Sequence, residues 1–281
     1  PELRLEEPPR AFALARGACG VLGDVAFRRL AQVTVHIPAA DARALKASLD
    51  ATSTNDALLA ATWTLFRRLR EADRAARRFK SSLKTRETAR ALFPVDHRRD
   101  DGRGLPSNLF GNASLMACAR LEETTPGADR GFRFRAEEAP EKAAARRMAR
   151  ATRVAVRAAK SPAGSARARG EIFALARVST ATQIAAAVAA VADVECFLSA
   201  WQFPEIWDCD FDGAGDGAGA AYFFGSVLPA AAWTAAAWPA RGGGLDVSMN
   251  VPRRLAARAP REMQEVVRAL SDGNVPAGGA G

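Results

Sequence analysis

The sequence is poor in the side chains that most often carry chemistry and in those that staple a fold. It has two histidines, His36 and His97, one tyrosine, Tyr222, and four cysteines, Cys19, Cys118, Cys196 and Cys209. No two cysteines form a C-x-x-C pair and none stands with a histidine at zinc-ligand spacing, so a metal site of the usual spacing is excluded and a reducing, cytosolic setting is expected. No apolar run approaches the ~18 residues that a membrane span requires, and the Ala-rich stretch Ile184 to Ala192 is too short and too weakly hydrophobic, so no membrane partner is expected. The first residues carry neither a positive n-region nor an apolar run, so no signal peptide is expected. No initiator methionine precedes Pro1, which leads us to expect further sequence upstream. No internal repeat and no G-x-G-x-x-G fingerprint is present; the alternating Gly213, Gly215, Gly217, Gly219 has neither that spacing nor a preceding strand pattern.

What the chain does have is apolar content and positive charge. Its 281 residues are 48% hydrophobic, enough to bury a sizeable core. Forty Lys plus Arg against 31 Asp plus Glu leave a formal charge of +9. That balance suits a polyanion such as nucleic acid, an anionic membrane or a nucleotide-bearing cofactor. Charge does not choose among them, because an Ala- and Arg-rich composition also spreads Arg over solvated faces. A nucleic-acid module is disfavoured by the single tyrosine and by the lack of aromatics within the Arg-rich helix of Arg146 to Arg157, since stacking on bases needs them.

Residues 1–31, with Pro8-Pro9 and scattered Arg, read as a linker or the end of a preceding domain. One structured domain is expected over 32–272, and a flexible tail over 273–281. Val33-Thr34-Val35-His36-Ile37 alternates with period two, the pattern of a half-buried strand with His36 on the polar face, and Pro38 opens a short helix with Leu45 and Leu49 on one side. Ser53-Thr54-Asn55-Asp56 resembles a capping box. Leu58, Leu59, Trp63, Phe66 and Leu69 follow at spacings of three and four, which predicts an amphipathic helix to about Arg70. Residues 71–90 are strongly charged. Ala91 to Asp96 and Ala113 to Leu121 read as strands around a polar loop, and 137–160 as a basic, Ala-rich scaffold helix. Residues 161–170 read as a break, Thr180 to Val191 as a helix, Cys196-Phe197-Leu198 as a short strand and 208–219 as an Asp/Gly loop. Tyr222-Phe223-Phe224 begins another strand; Leu245, Val247, Met249 and Val251 alternate as a further one; Met263, Val266, Val267 and Leu270 form a last helix opened by Pro260. Helices interleaved with paired strands predict an α/β layer on a mixed sheet.

Several of these stretches, in order, resemble the C-terminal half of the BAHD acyltransferases, a family whose halves are each chloramphenicol acetyltransferase-like in fold. Ser53 to Trp63, S-T-N-D-A-L-L-A-A-T-W, resembles the family's S-T-x-D-A-L-x-A-x-x-W helix. Val95 to Ala113 resembles its V-D-x-R … L-P-x-x-Y-F-G-N-A stretch, Ser199-Ala200-Trp201 its S-S-W, and Phe203-Pro204 with Asp210 to Gly215 its F-P … D-F-G-W-G. Gly243 to Val251 is similar to its final G-G-L-E-V strand. The likeness spans roughly residues 33 to 270. It departs at the D-F-G-W-G site, where Asp212 and Ala214 replace a glycine and the tryptophan.

The resemblance implies transfer of an acyl group from acyl-CoA, a co-substrate rather than a bound cofactor, to a hydroxyl or amine of a small-molecule acceptor. In the family the general base is the histidine of an H-x-x-x-D-G motif in the N-terminal half; an imidazole with an unperturbed pKa of about 6.5 takes the acceptor's proton at neutral pH. That half is expected as a partner within a longer chain. His97 to Gly102 matches H-x-x-x-D-G, which makes His97 and Asp101 a formal candidate pair, but it lies in the V-D-x-R stretch among charged residues, the setting of an exposed turn. His36 to Asp41 is one residue too long for the motif. The resemblance pairs Asp210 with Arg98 as a structural ion pair beside the substrate tunnel, with Gly213 and Gly215 at tight turns; two solvated charges and a flexible glycine loop are the alternative. It places Ser53, Asn112, Ser199 and Trp201 on the tunnel or acyl-CoA side. A helix cap, a turn residue, a strand-end hydroxyl and a core indole remain open for these four. Arg98, Arg99 and Arg103 are candidates for the phosphates of coenzyme A. The second reading is a degenerate, non-catalytic family member acting as a binding or scaffold module. The apolar surface that would face the other half leads us to expect instability or self-association of the isolated chain.

Overall fold

The computed structural model describes residues 29–77, 88–96, 114–122, 139–167, 194–200 and 232–271, with positions 170 and 177. Among the described residues six strands, β1 (Leu30–Ile37), β2 (Thr88–Asp96), β3 (Ser114–Glu122), β4 (Cys196–Ala200), β5 (Thr234–Pro239) and β6 (Leu245–Pro252), form one mixed sheet in the order β1-β6-β5-β4-β2-β3. The central strands β2, β4 and β5 run parallel, and β1, β6 and β3 join by antiparallel pairing. Among the described residues it is accompanied by the helices α1 (Ala39–Ser48), α2 (Thr54–Arg77), α3 (Pro140–Lys160) and α4 (Ala259–Ser271), with a further helical stretch over 162–167. The mixed sheet with interleaved helices is the α/β architecture expected from the sequence.

Alternation along the strands decides which face meets the helices. Val35, Ile37, Ala91, Phe93, Ala117, Ala119, Cys196, Leu198, Ala235, Ala237, Val247 and Met249 join the helices in one apolar core. The opposite face carries a polar ladder across β1, β6 and β5: Gln32 Nε2 donates to Ser248 Oγ at 3.3 Å, Thr34 Oγ1 meets the same hydroxyl at 2.5 Å, and Asn250 Nδ2 donates to Thr234 Oγ1 at 3.3 Å. Burying Ser248 and Thr234 is tolerable because each hydroxyl has such a partner.

The central helix is more deeply buried than its amphipathic pattern predicts. Ala57, Ala60, Ala61, Trp63, Leu65 and Phe66 are all fully enclosed, so its first three turns are surrounded rather than one-sided. Small residues allow this, since alanines let neighbouring helices and the sheet approach closely. Thr64 returns its hydroxyl to the Ala60 carbonyl at 2.8 Å, and the Trp63 indole N–H donates to Glu195 Oε2 at 2.8 Å just before β4. The helix runs past Arg70 to Arg77, the last described residue before β2, because residues 71–77 are mostly good helix formers and Asp73 meets Arg254 Nε at 2.5 Å. Phe66 packs edge-on to Trp233 with ring centroids 5.7 Å apart, and the Arg70 guanidinium lies 4.5 Å over the same indole.

An ionic clasp joins three helices. Arg68 of α2 makes a two-pronged bond to Glu141 at the start of α3, and its Nη1 lies 3.6 Å from Glu262 of α4, which Arg258 also meets at 2.6 Å. The bonded Glu141 carboxylate raises the Arg68 guanidinium above its ordinary pKa. Ser48 at the end of α1 donates to the Leu270 carbonyl, tying α1 to α4.

Other sequence expectations differ in detail. β1 begins at Leu30, two residues inside the stretch read as linker, and residues 162–167 are helical within the predicted break. β5, T-A-A-A-W-P, had no sequence signal. The helix expected over Thr180 to Val191, the Asp/Gly loop over 208–219 and the strand at Tyr222 lie outside the described residues. Among the described residues no helix is long and apolar enough to cross a membrane.

Candidate functional site

Parallel strands deliver their carboxyl ends to one edge of the sheet, where the N-terminus of α2 also opens. A cavity of about 210 Å³ sits there, walled by the ends of β2 and β4, the first turn of α2 and one side of α3. Such a crevice beyond the carboxyl ends of parallel strands is a common place for ligands in α/β folds.

Ser53 lies at its mouth and works as a cap. Its Oγ accepts the Asp56 N–H at 3.2 Å, and Asp56 Oδ2 accepts the Ser53 N–H at 3.0 Å, a reciprocal box that satisfies two otherwise orphan donors. The structural alternative for Ser53 therefore holds, and the residue still lines the cavity. Asp56 is only 1% exposed, and Arg153 of α3 stands 3.4 Å from its carboxylate. Arg153 Nε is buried and makes no hydrogen bond, the ion pair being too poorly aligned to satisfy it. Lys160 lies two turns further along α3 on the same wall, and Asp96 closes the β2 side.

Ser199 is placed differently. Leu198 and Ala200 line the cavity, while Ser199 between them alternates to the other face of the sheet. Val95 and Asp96 also line the wall. His97, Arg98, Arg99, Asp101, Arg103 and Asn112 lie beyond the described end of β2, and Trp201, Asp210, Gly213 and Gly215 beyond that of β4. The Asp210–Arg98 pair and the His97 candidate thus fall outside the described residues.

Sequence reasoning missed Arg153 and Lys160 by treating α3 as solvated scaffold. Arg146, Arg150, Arg153 and Arg157 recur at spacings of four and three, the signature of one helix face, and that spacing was the available signal. The stripe clamps the α1–α2 junction. Arg146 Nη2 donates to the Ser48 carbonyl at 2.8 Å, Arg150 lies 3.6 Å from Asp50, and Arg153 faces Asp56.

Among the described residues, His36 and Cys196 lie elsewhere. His36 sits on a separate groove of about 600 Å³ against β1 and α4, and its Nδ1 meets Asp246 Oδ1 at 2.9 Å across the β1–β6 pair. Cys196 is fully buried in β4, and burial pushes its thiol well above the ordinary range, so it stays protonated and inert.

Neither a protein-family model nor a curated protein sequence matches the chain. Solved structures do. Over 85% of its length the chain superposes on vinorine synthase with a TM-score of 0.55 at 13% identity, covering 48% of that protein. Over 86% it superposes on TRI3, the trichothecene 15-O-acetyltransferase of Fusarium sporotrichioides, with a TM-score of 0.50 at 14% identity, covering 47% of that protein. The fold is that of one half of a BAHD-type acyltransferase. The chain spans about half the length of the acyltransferases it resembles. The mixed sheet expected from the BAHD-like motifs is the sheet observed.

Proposed function

We propose that this chain is the C-terminal half of an acyl-CoA-dependent acyltransferase, transferring an acyl group to a hydroxyl or amine of a small molecule. The observation that carries the reading is the cavity at the carboxyl ends of β2 and β4. The S-T-N-D turn forms its mouth, and the described parts of two further motif stretches, Val95-Asp96 and Ala200, line its walls. Residues from three stretches far apart in sequence thus line one crevice.

In this reading the chain supplies binding and positioning, and the base comes from an H-x-x-x-D-G histidine upstream. The open end of α2 favours negative charge, and Arg153 and Lys160 on the facing wall offer cations to the phosphates or thioester oxygen of acyl-CoA. Arg153 then exchanges part of its contact with Asp56 for the ligand. The acceptor approaches from the other half, which holds the imidazole that removes its proton before attack on the thioester carbonyl.

The nucleic-acid alternative loses its main support, because three arginines of the basic helix are engaged with their own chain at Ser48, Asp50 and Asp56. The coding sequence upstream of Pro1 tests the proposal. An in-frame H-x-x-x-D-G following a strand pattern is expected; a nearby start site preceded by a stop codon would leave a non-catalytic binding module as the reading.

A further inference from the structure

The cavity at the carboxyl ends of β2 and β4 changes character from mouth to floor. Its lining residues Ser53, Asn55, Asp96, Arg153 and Lys160 are polar or charged, and all are half-buried or exposed. Its deeply buried lining is Leu59, Phe93, Val95 and Leu198, with Asp56 and Thr152 as the two polar residues among them. Both of those are already engaged. The Asp56 carboxylate accepts the Ser53 N–H at 3.0 Å and faces Arg153, and the Thr152 hydroxyl donates to the Met148 carbonyl at 2.8 Å. The Arg153 Nε–H, buried without a hydrogen bond, lies beside Asp56 at the level of the first turn of α2, not among the apolar residues of the floor. A phosphate carried to that floor would lose its water and meet apolar side chains, whereas an apolar group there gains the burial of its surface.

The cavity also ends at this floor. Further inward, Trp63 follows Leu59 on α2, Met148 precedes Thr152 on α3, Ala91 precedes Phe93 on β2 and Cys196 precedes Leu198 on β4, and all four are fully enclosed. Volume then limits what enters. A cavity of about 150 Å³ takes up one benzene ring, so the space of about 210 Å³ here holds about eight carbon atoms.

We propose that this cavity receives the acyl end of the donor thioester and that the chain selects short acyl groups, straight or carrying a single ring, of up to about eight carbons. The inference rests on the acyl-CoA reading above and narrows it. The acyl chain lies against Leu59, Phe93, Val95 and Leu198. The thioester is held at the level of Arg153 and the α2 N-terminus, and the nucleotide, too large and too charged for the cavity, stays outside beside the exposed Lys160. The carbonyl is thereby left at the mouth, open to an acceptor that comes from the other half.

Calorimetric titration of the folded chain with free coenzyme A and with its acetyl, butanoyl, hexanoyl and decanoyl thioesters tests the proposal. Binding is expected to tighten by at least about tenfold from coenzyme A to the hexanoyl thioester, since each buried methylene contributes up to about fourfold, and to gain nothing further at decanoyl. Ala200→Leu, which fills the cavity from its β4 wall, is expected to flatten the series, and Leu198→Ala, which enlarges it, to carry the gain on to decanoyl. A cooperative thermal melt establishes that each variant is folded, and either variant suffices where the other does not fold. Equal affinity for coenzyme A and all four thioesters, a gain that continues through decanoyl in the parent, or a series that no folded variant alters would overturn the acyl pocket and leave the acyl-CoA reading in place. No binding of coenzyme A or of any thioester would overturn both.

Discussion

Removing the Asp56 carboxylate is the sharpest perturbation of the site, because two features rest on that one group. Asp56 accepts the Ser53 N–H that closes the start of α2, and it is the counter-charge of Arg153. Asp56→Ala loses the cap acceptor, worth about 1 kcal/mol. It also leaves Arg153 without its partner. Stripping one member of a buried pair costs about 3 to 5 kcal/mol, but the Arg153 side chain is 27% exposed and partly hydrated, so we take about half of that. The sum is about 3 kcal/mol, or a fall in melting temperature of about 6 to 12 °C for a domain of this size. Asp56→Asn keeps an acceptor and removes only the charge, so a loss of about 1.5 to 2 kcal/mol is expected. Urea denaturation of the single variants and of Asp56→Ala/Arg153→Met completes the cycle, with the double variant more stable than the sum of the two single losses. If Asp56→Ala and Asp56→Asn both stay within about 0.5 kcal/mol of the parent, the account of this junction is wrong.

Three further outcomes follow from the packing. Gly244 has φ +87°, and a Cβ there would stand 2.4 Å from the Ile37 carbonyl oxygen, whereas one on Gly242, at φ +91°, meets nothing within 4 Å. Gly244→Ala is therefore expected to lower the urea midpoint clearly more than Gly242→Ala, which carries only the backbone strain of about 1 kcal/mol. Arg68→Met cuts the clasp between α2, α3 and α4 while Arg258 still partners Glu262; a loss of about 2 kcal/mol is expected, measurable as a lower thermal midpoint. The buried, protonated Cys196 should escape thiol reagents in the folded chain, so Cys196→Ala is expected to leave the native labelling count unchanged and to lower by one the count in denaturant.

How much of this was legible in the sequence depended on whether a position obeyed a local rule. The capping box at Ser53, the alternation of β6 and the period of α2 and α4 each announce themselves because propensity and burial agree there. β5 did not, since three consecutive alanines show no alternation and low strand preference; its place is set by β4 and β6, which pair with its two edges. The depth of α2 was likewise hidden, because a helix looks amphipathic until a second layer covers its polar side, and here Thr64 hides its hydroxyl on its own backbone. At the site, Ser53 was readable as a cap, and it closes the box with Asp56 at the mouth of the cavity. Arg153 was not, because an arginine stripe facing acidic and carbonyl partners looks in sequence like a solvated charge run until those partners are folded beneath it.

The central claim, that the cavity beside Ser53 and Arg153 receives acyl-CoA, is tested most directly by calorimetric titration of the folded chain with coenzyme A, alongside Arg153→Met. The account predicts one site per chain, weakened at least about tenfold in the variant and not competed by duplex DNA. No heat of binding in a chain that melts cooperatively, or equal binding by the parent and Arg153→Met, would contradict it.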